Sequence, residues 1–357
     1  MIPDMKFCLE DDPLKYYHAM LKDIEEARDY VFVEMYKFGN DTIGIKFRDA
    51  LAKKAKQGVM VKILVDSWGG SALSDTFFHD IVKNGGEVRF FEKIRFNTDF
   101  FTRSHRRNHR KLLIIDDHIT YIGSSNFTEY NLNWREMVLR MDDEITTLFK
   151  EIFFESFDSY NKYLINKARY SRTIKYHDFE IIRDVPSIPL QRIKKRFERL
   201  IRSARKSVVI ETPYFLPGFL LRKAMIDAAK RGVEVNVILP RHSDVRLVDI
   251  LRNKYLGILF KNNIKFLYYK PGNLHAKMMF VDGKVFAIGS PNFDYRSFRY
   301  LYEIILVGKD PSIAQQLQEH IRLTIEESED FDYEKYLDRP TIEKIVEWML
   351  LPFRHLL

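Results

Sequence analysis

The stretch that decides the fold is His109-Arg-Lys-Leu-Leu-Ile-Ile-Asp116, which returns later in the chain as His275-Ala-Lys-Met-Met-Phe-Val-Asp282. Both copies follow the pattern His-x-Lys-x-x-x-x-Asp. The unbroken apolar run inside each copy predicts a strand covered on both faces. Residues two apart on a strand point to the same side, so we expect each histidine to project together with its lysine.

Each copy leads to a turn of small residues that ends in asparagine. The turns are Gly123-Ser-Ser-Asn126 and Gly289-Ser-Pro-Asn292, and each asparagine lies 17 residues after the histidine of its copy. Two histidines, two lysines and two asparagines at matched spacing are the side chains that phosphodiester chemistry without a metal needs.

The residue types predict a division of labour. One histidine attacks phosphorus and becomes a covalent phosphohistidine, while the other protonates the leaving alcohol and then activates the incoming alcohol or water. The two lysines, Lys111 and Lys277, and the two asparagines stabilise the charged oxygens on phosphorus. We therefore expect one active site, with both motifs acting on the same phosphodiester.

A nucleophilic imidazole needs an acceptor on its other nitrogen to fix the tautomer. Glu136 and Glu303 lie 27 and 28 residues after the two histidines, so we predict that these carboxylates orient them. Asp116 and Asp282 each end a motif beside a turn, where aspartate is common for local reasons. We interpret both aspartates as structural.

The motifs recur because the chain is duplicated. The first half predicts helices over 12–29 and 41–57 and strands over 31–38, 59–65 and 87–91. The second half repeats that order, with helices over 190–206 and 219–231 and strands over 208–211, 233–239 and 264–268. The alternation indicates an α/β fold of two α/β/α halves, 1–170 and 171–357, related by a pseudo-twofold axis with the active site at their interface.

The amino-acid composition indicates which class of molecule the protein binds. The chain has 357 residues, a formal net charge of +8 and one cysteine, Cys8. The basic balance favours an anionic partner, either nucleic acid or acidic lipid. Cys8 alone cannot form an internal disulfide, the sequence contains no apolar run of 18 residues, and its first residues do not resemble a signal peptide. The expectation is a cytoplasmic protein, soluble or on a membrane surface.

Further residues complete the predicted site. Arg103, Arg107 and Arg110 crowd the first motif and are assigned to anionic headgroups, with a merely solvated basic loop as the alternative. Ser124 and Ser290, in the two turns, are assigned as substrate contacts. A metal site at the histidine pair 105 and 109 lacks a carboxylate or cysteine ligand between or beside them. We therefore predict neither a metal nor another cofactor.

The doubled motif with its asparagine turns resembles the phospholipase D superfamily, over nearly the whole chain. The second half is similar to bacterial cardiolipin synthases in Glu211-Thr-Pro-Tyr-Phe-Leu-Pro, in Leu274-His-Ala-Lys and in the run from Gly289 through Glu303. Unlike many members of that branch, the sequence shows no N-terminal transmembrane pair. The resemblance implies a duplicated phospholipase D fold and catalysis without a metal, with His109 as the nucleophile and His275 as the acid and base.

The implied activity is transfer of a phosphatidyl group from one phosphatidylglycerol to another, through phosphatidyl-histidine, without an obligatory protein partner. Lipid hydrolysis and cleavage of nucleic acid are the alternatives, since the same site serves both in the superfamily. A non-catalytic binding protein is a third class, which two intact motifs disfavour. The acceptor alcohol and the oligomeric state stay open.

The end of the chain predicts how the enzyme meets lipid. Residues 339–357 predict an amphipathic helix with Ile342, Ile345, Val346, Met349 and Leu350 on one stripe and Trp348 beside it. Such a helix can lie in a membrane interface, or it can be an ordinary packing helix. The expected location is the inner face of the cell membrane, as a peripheral protein.

Overall fold

The computed structural model of the protein describes residues 5–92, 106–162 and 164–355. The chain separates into two compact units. The first is Met1–Tyr170 together with Leu301–Glu303, and the second is Ser171–Tyr300 together with Ile304–Leu357. Three residues from late in the sequence therefore belong to the first unit.

The first unit is built on a sheet in the order β1-β9-β7-β6-β2-β3-β4. Strands β2, β3 and β4 run parallel, whereas β6, β7, β9 and β1 continue the sheet antiparallel from β2. Strand β5 pairs in parallel with Leu301 and Tyr302. The strands of this unit are β1 (Phe7–Glu10), β2 (Tyr30–Met35), β3 (Met60–Asp66), β4 (Glu87–Phe91), β5 (Arg107–Asn108), β6 (Lys111–Ile115), β7 (Ile119–Gly123), β8 (Trp134–Arg135) and β9 (Val138–Asp142).

Helices cover both faces of this sheet, which is why β2 and β6 are buried along their whole length. On one face, Phe32 of β2 stacks on Phe153 with ring centroids 5.0 Å apart. On the other face, Val31 and Val33 join a core that includes Phe47. The helices are α1 (Pro13–Glu26), α2 (Thr42–Lys56), α3 (His79–Lys83), α4 (Thr146–Ser159) and α5 (Lys167–Tyr170), with a 3-10 turn at Glu129–Asn133.

The second unit repeats the design. Its strands follow the order β10-β11-β18-β17-β16-β12-β13-β14-β19. Strands β12, β13 and β14 are parallel, and β16, β17 and β18 continue antiparallel from β12. The strands are β10 (Arg172–Tyr176), β11 (Phe179–Asp184), β12 (Ser207–Glu211), β13 (Glu234–Pro240), β14 (Ile264–Tyr269), β15 (Asn273–Leu274), β16 (Met278–Val281), β17 (Val285–Gly289), β18 (Leu301–Gly308) and β19 (Ser328–Asp330).

The helices of the second unit enclose a core that includes Phe197, Met225 and Leu256. They are α6 (Arg192–Ser203), α7 (Phe219–Lys230), α8 (Arg246–Phe260), α9 (Tyr295–Tyr300), α10 (Pro311–Glu326), α11 (Tyr333–Leu337) and α12 (Thr341–Leu350), followed by a 3-10 turn at Leu351–Phe353. Across the described parts of the chain, we find no helix with the length and apolar character needed to cross a bilayer.

The motif aspartates perform the same structural task in both units. Asp116 and Asp282 follow the motif strands with positive φ angles of 49° and 55°. The Asp116 carboxylate accepts hydrogen bonds from the backbone N–H groups of residues 28, 29 and 30, where β2 begins. The Asp282 carboxylate accepts from those of residues 205, 206 and 207, where β12 begins. Each aspartate thus ties the motif strand to its neighbour through backbone groups.

Candidate active site

The first motif is anchored by the segment that precedes its strand. His109 lies between β5 and β6, and its backbone N–H donates to the carbonyl of Tyr302 at 3.0 Å. Strand β6 begins only at Lys111, so the histidine stands at the entrance of the strand. The hydrogen bond to Tyr302 thus fixes the position of the His109 backbone.

The His109 ring is held by a buried carboxylate. Its Nδ1 lies 3.0 and 3.2 Å from the two carboxylate oxygens of Glu303, which is fully buried. An ionised carboxylate can only accept, so the hydrogen resides on Nδ1 and the lone pair on Nε2. That tautomer is the one in which Nε2 can attack phosphorus. The ring of Tyr36 packs edge-on at 5.0 Å and completes the support.

The lysine of the first motif returns to its own histidine. Lys111 Nζ donates to the His109 carbonyl oxygen at 2.7 Å and lies 5.3 Å from the centre of the Tyr36 ring. Lys111 is buried, so its charge acts in a medium of low dielectric. The ammonium is therefore placed beside His109, where it could stabilise a charged oxygen of a bound substrate.

Two buried carboxylates hold the peptide around His109. The Asp66 carboxylate accepts from the backbone N–H of Asn108 at 2.7 Å and lies 3.5 Å from the Arg107 guanidinium. Burial raises the pKa of Asp66, while Arg107 and backbone donors act in the opposite direction. Glu34 accepts from the Asn108 side chain at 2.8 Å. The two residues that precede His109 are thus held by buried carboxylates.

The structure places two of the predicted arginines in the interior. Arg107 is buried and donates to Ser67 at 3.1 Å and to the Glu92 carbonyl at 3.2 Å. Arg110 is buried as well and donates to Ser156 at 2.8 Å, 3.7 Å from Glu34. Their assignment to anionic headgroups stays a prediction. Residue 103, the remaining predicted arginine, lies outside the described residues.

The asparagine turns depend on a glycine in both units. A Cβ on Gly123 would lie 2.2 Å from the Met137 carbonyl oxygen, and a Cβ on Gly289 would lie 2.2 Å from that of Ile304. No side chain fits at such a distance. The glycine thus allows each turn to pack against the strand that follows it.

The turn serines bind the backbone instead of facing outward. Ser124 Oγ accepts from the Met137 N–H at 3.0 Å, and Ser290 Oγ accepts from the Ile304 N–H at the same distance. Both serines are buried. Their hydroxyl groups therefore fix the turns, and their assignment as substrate contacts stays a prediction.

The two asparagines differ in their surroundings. Asn126 Oδ1 accepts from the Lys37 N–H at 3.2 Å, which leaves its NH₂ group to act as the donor. The buried Asn292 Oδ1 has no hydrogen-bond partner among the described residues. The backbone N–H of Asn292 donates to Ser297 at 3.1 Å. The predicted role of both side chains as donors to phosphate stays a prediction.

Glu136 lies in a polar cluster of the first unit. Its carboxylate accepts from the Ser124 hydroxyl and from the Asn131 side chain, the latter at 3.2 Å. Glu136 is fully buried. Its assignment as the orienting carboxylate of a histidine stays a prediction, whereas Glu303 is in direct contact with one.

In the second motif the lysine again contacts its own histidine. Lys277 Nζ lies 3.0 and 3.1 Å from the two ring nitrogens of His275 and donates to the His275 carbonyl oxygen at 2.7 Å. Both side chains are buried. The backbone arrangement of the first motif recurs here, and the Lys277 ammonium lies beside the ring.

Sequence reasoning missed Glu34, Asp66 and Asn108. Glu34 lies in the middle of the predicted strand 31–38, and Asp66 directly follows the predicted strand 59–65. A charged residue beside or inside an apolar run predicts a buried carboxylate, and buried carboxylates need hydrogen-bond or ion-pair partners. The second unit also contains a buried carboxylate with a histidine partner, since Glu211 Oε2 lies 2.8 Å from His320 Nε2.

Comparisons with known proteins agree with this architecture. A family model described as cardiolipin synthase, PLD-like domain, matches residues 20–157 and 197–324. The chain belongs to this family. It is an enzyme of the phospholipase D superfamily, of the transferase type, and the resemblance noted in the sequence is confirmed.

Two relatives give the extent of the similarity. The major cardiolipin synthase ClsA of Bacillus subtilis is 31% identical over 353 residues, which is 93% of this chain and 71% of that protein. A cardiolipin synthase of Listeria welshimeri is 33% identical over 316 residues, which is 85% of this chain and 65% of that protein. The chain thus spans about two thirds of the length of these relatives.

Two solved structures of other proteins have a fold similar to that of this chain. The phosphatidylserine synthase of Haemophilus influenzae superposes over 100% of this chain and 96% of its own, with a TM-score of 0.79 at 13% identity. A polyphosphate kinase of Porphyromonas gingivalis covers 91% of this chain and 48% of its own, with a TM-score of 0.64 at 13% identity. The predicted α/β class and duplicated phospholipase D fold are confirmed.

Proposed function

We propose that this family member transfers a phosphatidyl group from one phosphatidylglycerol to another, through a phosphohistidine on His109. The observation that carries the proposal is the Glu303 carboxylate 3.0 Å from His109 Nδ1. It directs the Nε2 lone pair to phosphorus and stabilises the positive charge that the ring gains on attack. Relatives named cardiolipin synthases support this substrate class.

The reaction balances with two histidines. His109 Nε2 bonds to phosphorus as the bond from phosphorus to the glycerol headgroup oxygen breaks, and His275 gives its proton to that oxygen. A hydroxyl of a second phosphatidylglycerol then transfers its proton to His275 and attacks phosphorus, which releases His109. The products are diphosphatidylglycerol and glycerol. The lysines Lys111 and Lys277, with Asn126 and Asn292, stabilise the phosphoryl oxygens.

The substrate also sets the proposed location. Phosphatidylglycerol is held in a bilayer, so we place the enzyme on the membrane surface, as a peripheral protein of the cytoplasmic face. An anionic headgroup suits the net charge of +8. The proposal requires neither an obligatory protein partner nor a cofactor.

The first test is a product analysis with phosphatidylglycerol vesicles. The protein should release glycerol and form diphosphatidylglycerol, and His109→Ala or His275→Ala should each abolish both products. His79→Ala, at an exposed histidine outside the motifs, is the matched control and should keep full turnover. Release of phosphatidic acid alone would indicate a hydrolase, and cleavage of DNA without a lipid product would indicate a nuclease.

A second test separates the roles of the histidines. A phosphodiester with a nitrophenolate leaving group needs no general acid, so His275→Ala should still form the phosphoenzyme and accumulate it. His109→Ala should form none. Acid-labile label at position 275 instead of 109, located by peptide mapping, would reverse the assignment.

A further inference from the structure

Helix α12 leaves much of its apolar stripe exposed. Leu350 packs against the core of the second unit, but Ile342, Ile345 and Met349 are exposed, with 64% of the Ile342 side chain open to solvent. The packed side also buries Glu347, whose carboxylate binds Arg339 at 3.1 Å. Amphipathic helices of globular proteins normally present the apolar stripe to the core. The orientation therefore indicates that something else covers this stripe.

Two large side chains extend the exposed stripe. Trp348 is 73% exposed, and Phe353, in the turn that follows the helix, is 56% exposed. We call Ile342, Ile345, Trp348, Met349 and Phe353 the outer stripe of α12. Contiguous exposed apolar side chains mark an interaction surface, and tryptophan favours the boundary between water and lipid.

A cluster of cations adjoins the end of this stripe. Arg354 directly follows Phe353, and Arg299 Nη1 lies 3.1 Å from His355 Nδ1. The His355 ring packs edge-on against Tyr295 at 4.6 Å, and the Arg299 guanidinium lies 5.3 Å from the centre of the same Tyr295 ring. The chain end and α9 are thereby in contact.

Two further cations complete the cluster. Arg222 lies over the ring of Tyr255 at 4.6 Å, and the charges of Arg222 and Arg354 both act on that tyrosine. Burial lowers the pKa of Lys194, and the nearby charge of Arg299 lowers it further. We call Lys194, Arg222, Arg299 and Arg354 the cation cluster.

The cluster has no carboxylate bound to it within the described part of the chain. The hydrogen bonds of Arg222 and Arg354 go to the carbonyl groups of Pro217 and Leu351, and Lys194 donates to the Gln191 side chain. The charge of the Glu198 carboxylate acts on Lys194, but Glu198 forms its ion pair with Arg202, at 3.0 Å. Four partly exposed cations paired with neutral groups present an unbalanced positive charge to solvent.

We infer that the outer stripe of α12 and the cation cluster together form a docking surface for an anionic phospholipid bilayer. The stripe would enter the boundary between headgroups and acyl chains, and the cluster would bind lipid phosphates beside it. Stable attachment of a peripheral protein takes two such signals, apolar insertion and basic charge. The inference rests on the proposed function, since it assumes that the substrate lies in a bilayer.

The chemistry favours lipid over a protein partner or a second copy. The stripe is one convex helix face with a tryptophan, and a bilayer needs no complementary groove to receive it. The cations lie at one end of the outer stripe. The phosphate groups of a bilayer all lie at about one depth, so they would contact the cations there. A second copy would offer the cations no anionic group, because a twofold interface brings together the same patch of both copies.

The test is vesicle flotation with the full chain. Phosphatidylglycerol vesicles should bind the wild type far better than phosphatidylcholine vesicles, and salt should weaken the binding. Trp348→Ala should weaken it on the order of tenfold, and Arg299→Gln and Arg354→Gln about fivefold each. Trp68→Ala, at a tryptophan 56% exposed in the first unit, is the matched control and should bind like the wild type.

A second measurement keeps docking separate from catalysis. On short-chain phosphatidylglycerol below its micelle concentration, the three variants should keep wild-type turnover, because they lie outside the motifs. If the wild type forms no diphosphatidylglycerol, the proposed function fails while the flotation result still decides the docking surface. Undiminished vesicle binding by the variants would overturn the inference. So would a wild-type dimer that Trp348→Ala converts to a monomer.

Discussion

Replacing Glu303 by glutamine isolates the contact that the proposed chemistry needs most. The change keeps the size of the side chain and removes the charge beside His109 Nδ1, at 3.0 and 3.2 Å. A charge-assisted hydrogen bond contributes about 1.5–3 kcal/mol, which corresponds to a loss of about 10- to 150-fold in kcat. If the amide NH₂ faces Nδ1, the wrong tautomer results and the loss approaches ~10⁴. Glu303 is fully buried, so KM should change little.

The assay is steady-state transfer on mixed micelles, with thermal unfolding of the same samples. Glu211→Gln is the matched control, because Glu211 also faces a buried histidine, His320, at 2.8 Å. It should lose comparable stability and keep its kcat. Glu303→Asp should retain more activity than Glu303→Gln, since it keeps the charge. A Glu303→Gln enzyme within threefold of the wild-type kcat would refute the role of this carboxylate as a positioning group.

Three further predictions concern stability and cofactor independence. Burial alone would raise the pKa of Asp282, but its backbone N–H donors outweigh burial and lower it. The ionised carboxylate therefore stabilises the folded protein above about pH 4, and this contribution is lost as the pH falls. In calorimetry, the difference in melting temperature between the wild type and Asp282→Asn should shrink from pH 5 to pH 3. Gly289→Ala should cost about 3 kcal/mol or more in urea unfolding, because its Cβ would meet the Ile304 carbonyl at 2.2 Å; an unchanged midpoint would contradict the reason given for the glycine. Excess chelator should leave transfer within twofold of the untreated rate, and restoration by added Zn²⁺ or Mg²⁺ after a loss would disprove catalysis without a metal.

Local signals in the sequence were sufficient for many elements. The helix predicted over 41–57 spans Thr42–Lys56, and Asp41 caps it by accepting from the Gly44 N–H at 2.9 Å. The strand predicted over 87–91 is β4. Both follow from periodicity and capping within a few residues. Strand β1, Phe7–Glu10, was not predicted, because its strand state depends on pairing with β9 more than 120 residues away.

The histidine partner illustrates what spacing along the chain cannot decide. The sequence placed a carboxylate at a matched offset after each motif, without specifying which histidine each one serves. In the structure Glu303, which follows the second motif, contacts His109 of the first, 194 positions away. The buried arginines were missed for a related reason. A basic run does not reveal that Asp66 and Glu34, distant in sequence, neutralise it in the interior.

The two units share one scaffold around their histidines. The backbone caps of Asp116 and Asp282 and the turn glycines are the same in both. Each motif lysine also donates to the carbonyl of its own histidine, at 2.7 Å in both units. The duplication therefore supplies two histidine–lysine pairs with the same backbone geometry. A displacement in two steps needs one histidine as the nucleophile and one as the acid and base. Because the shared backbone places both pairs alike, we expect groups outside it, such as the Glu303 carboxylate at His109, to decide which histidine takes which role.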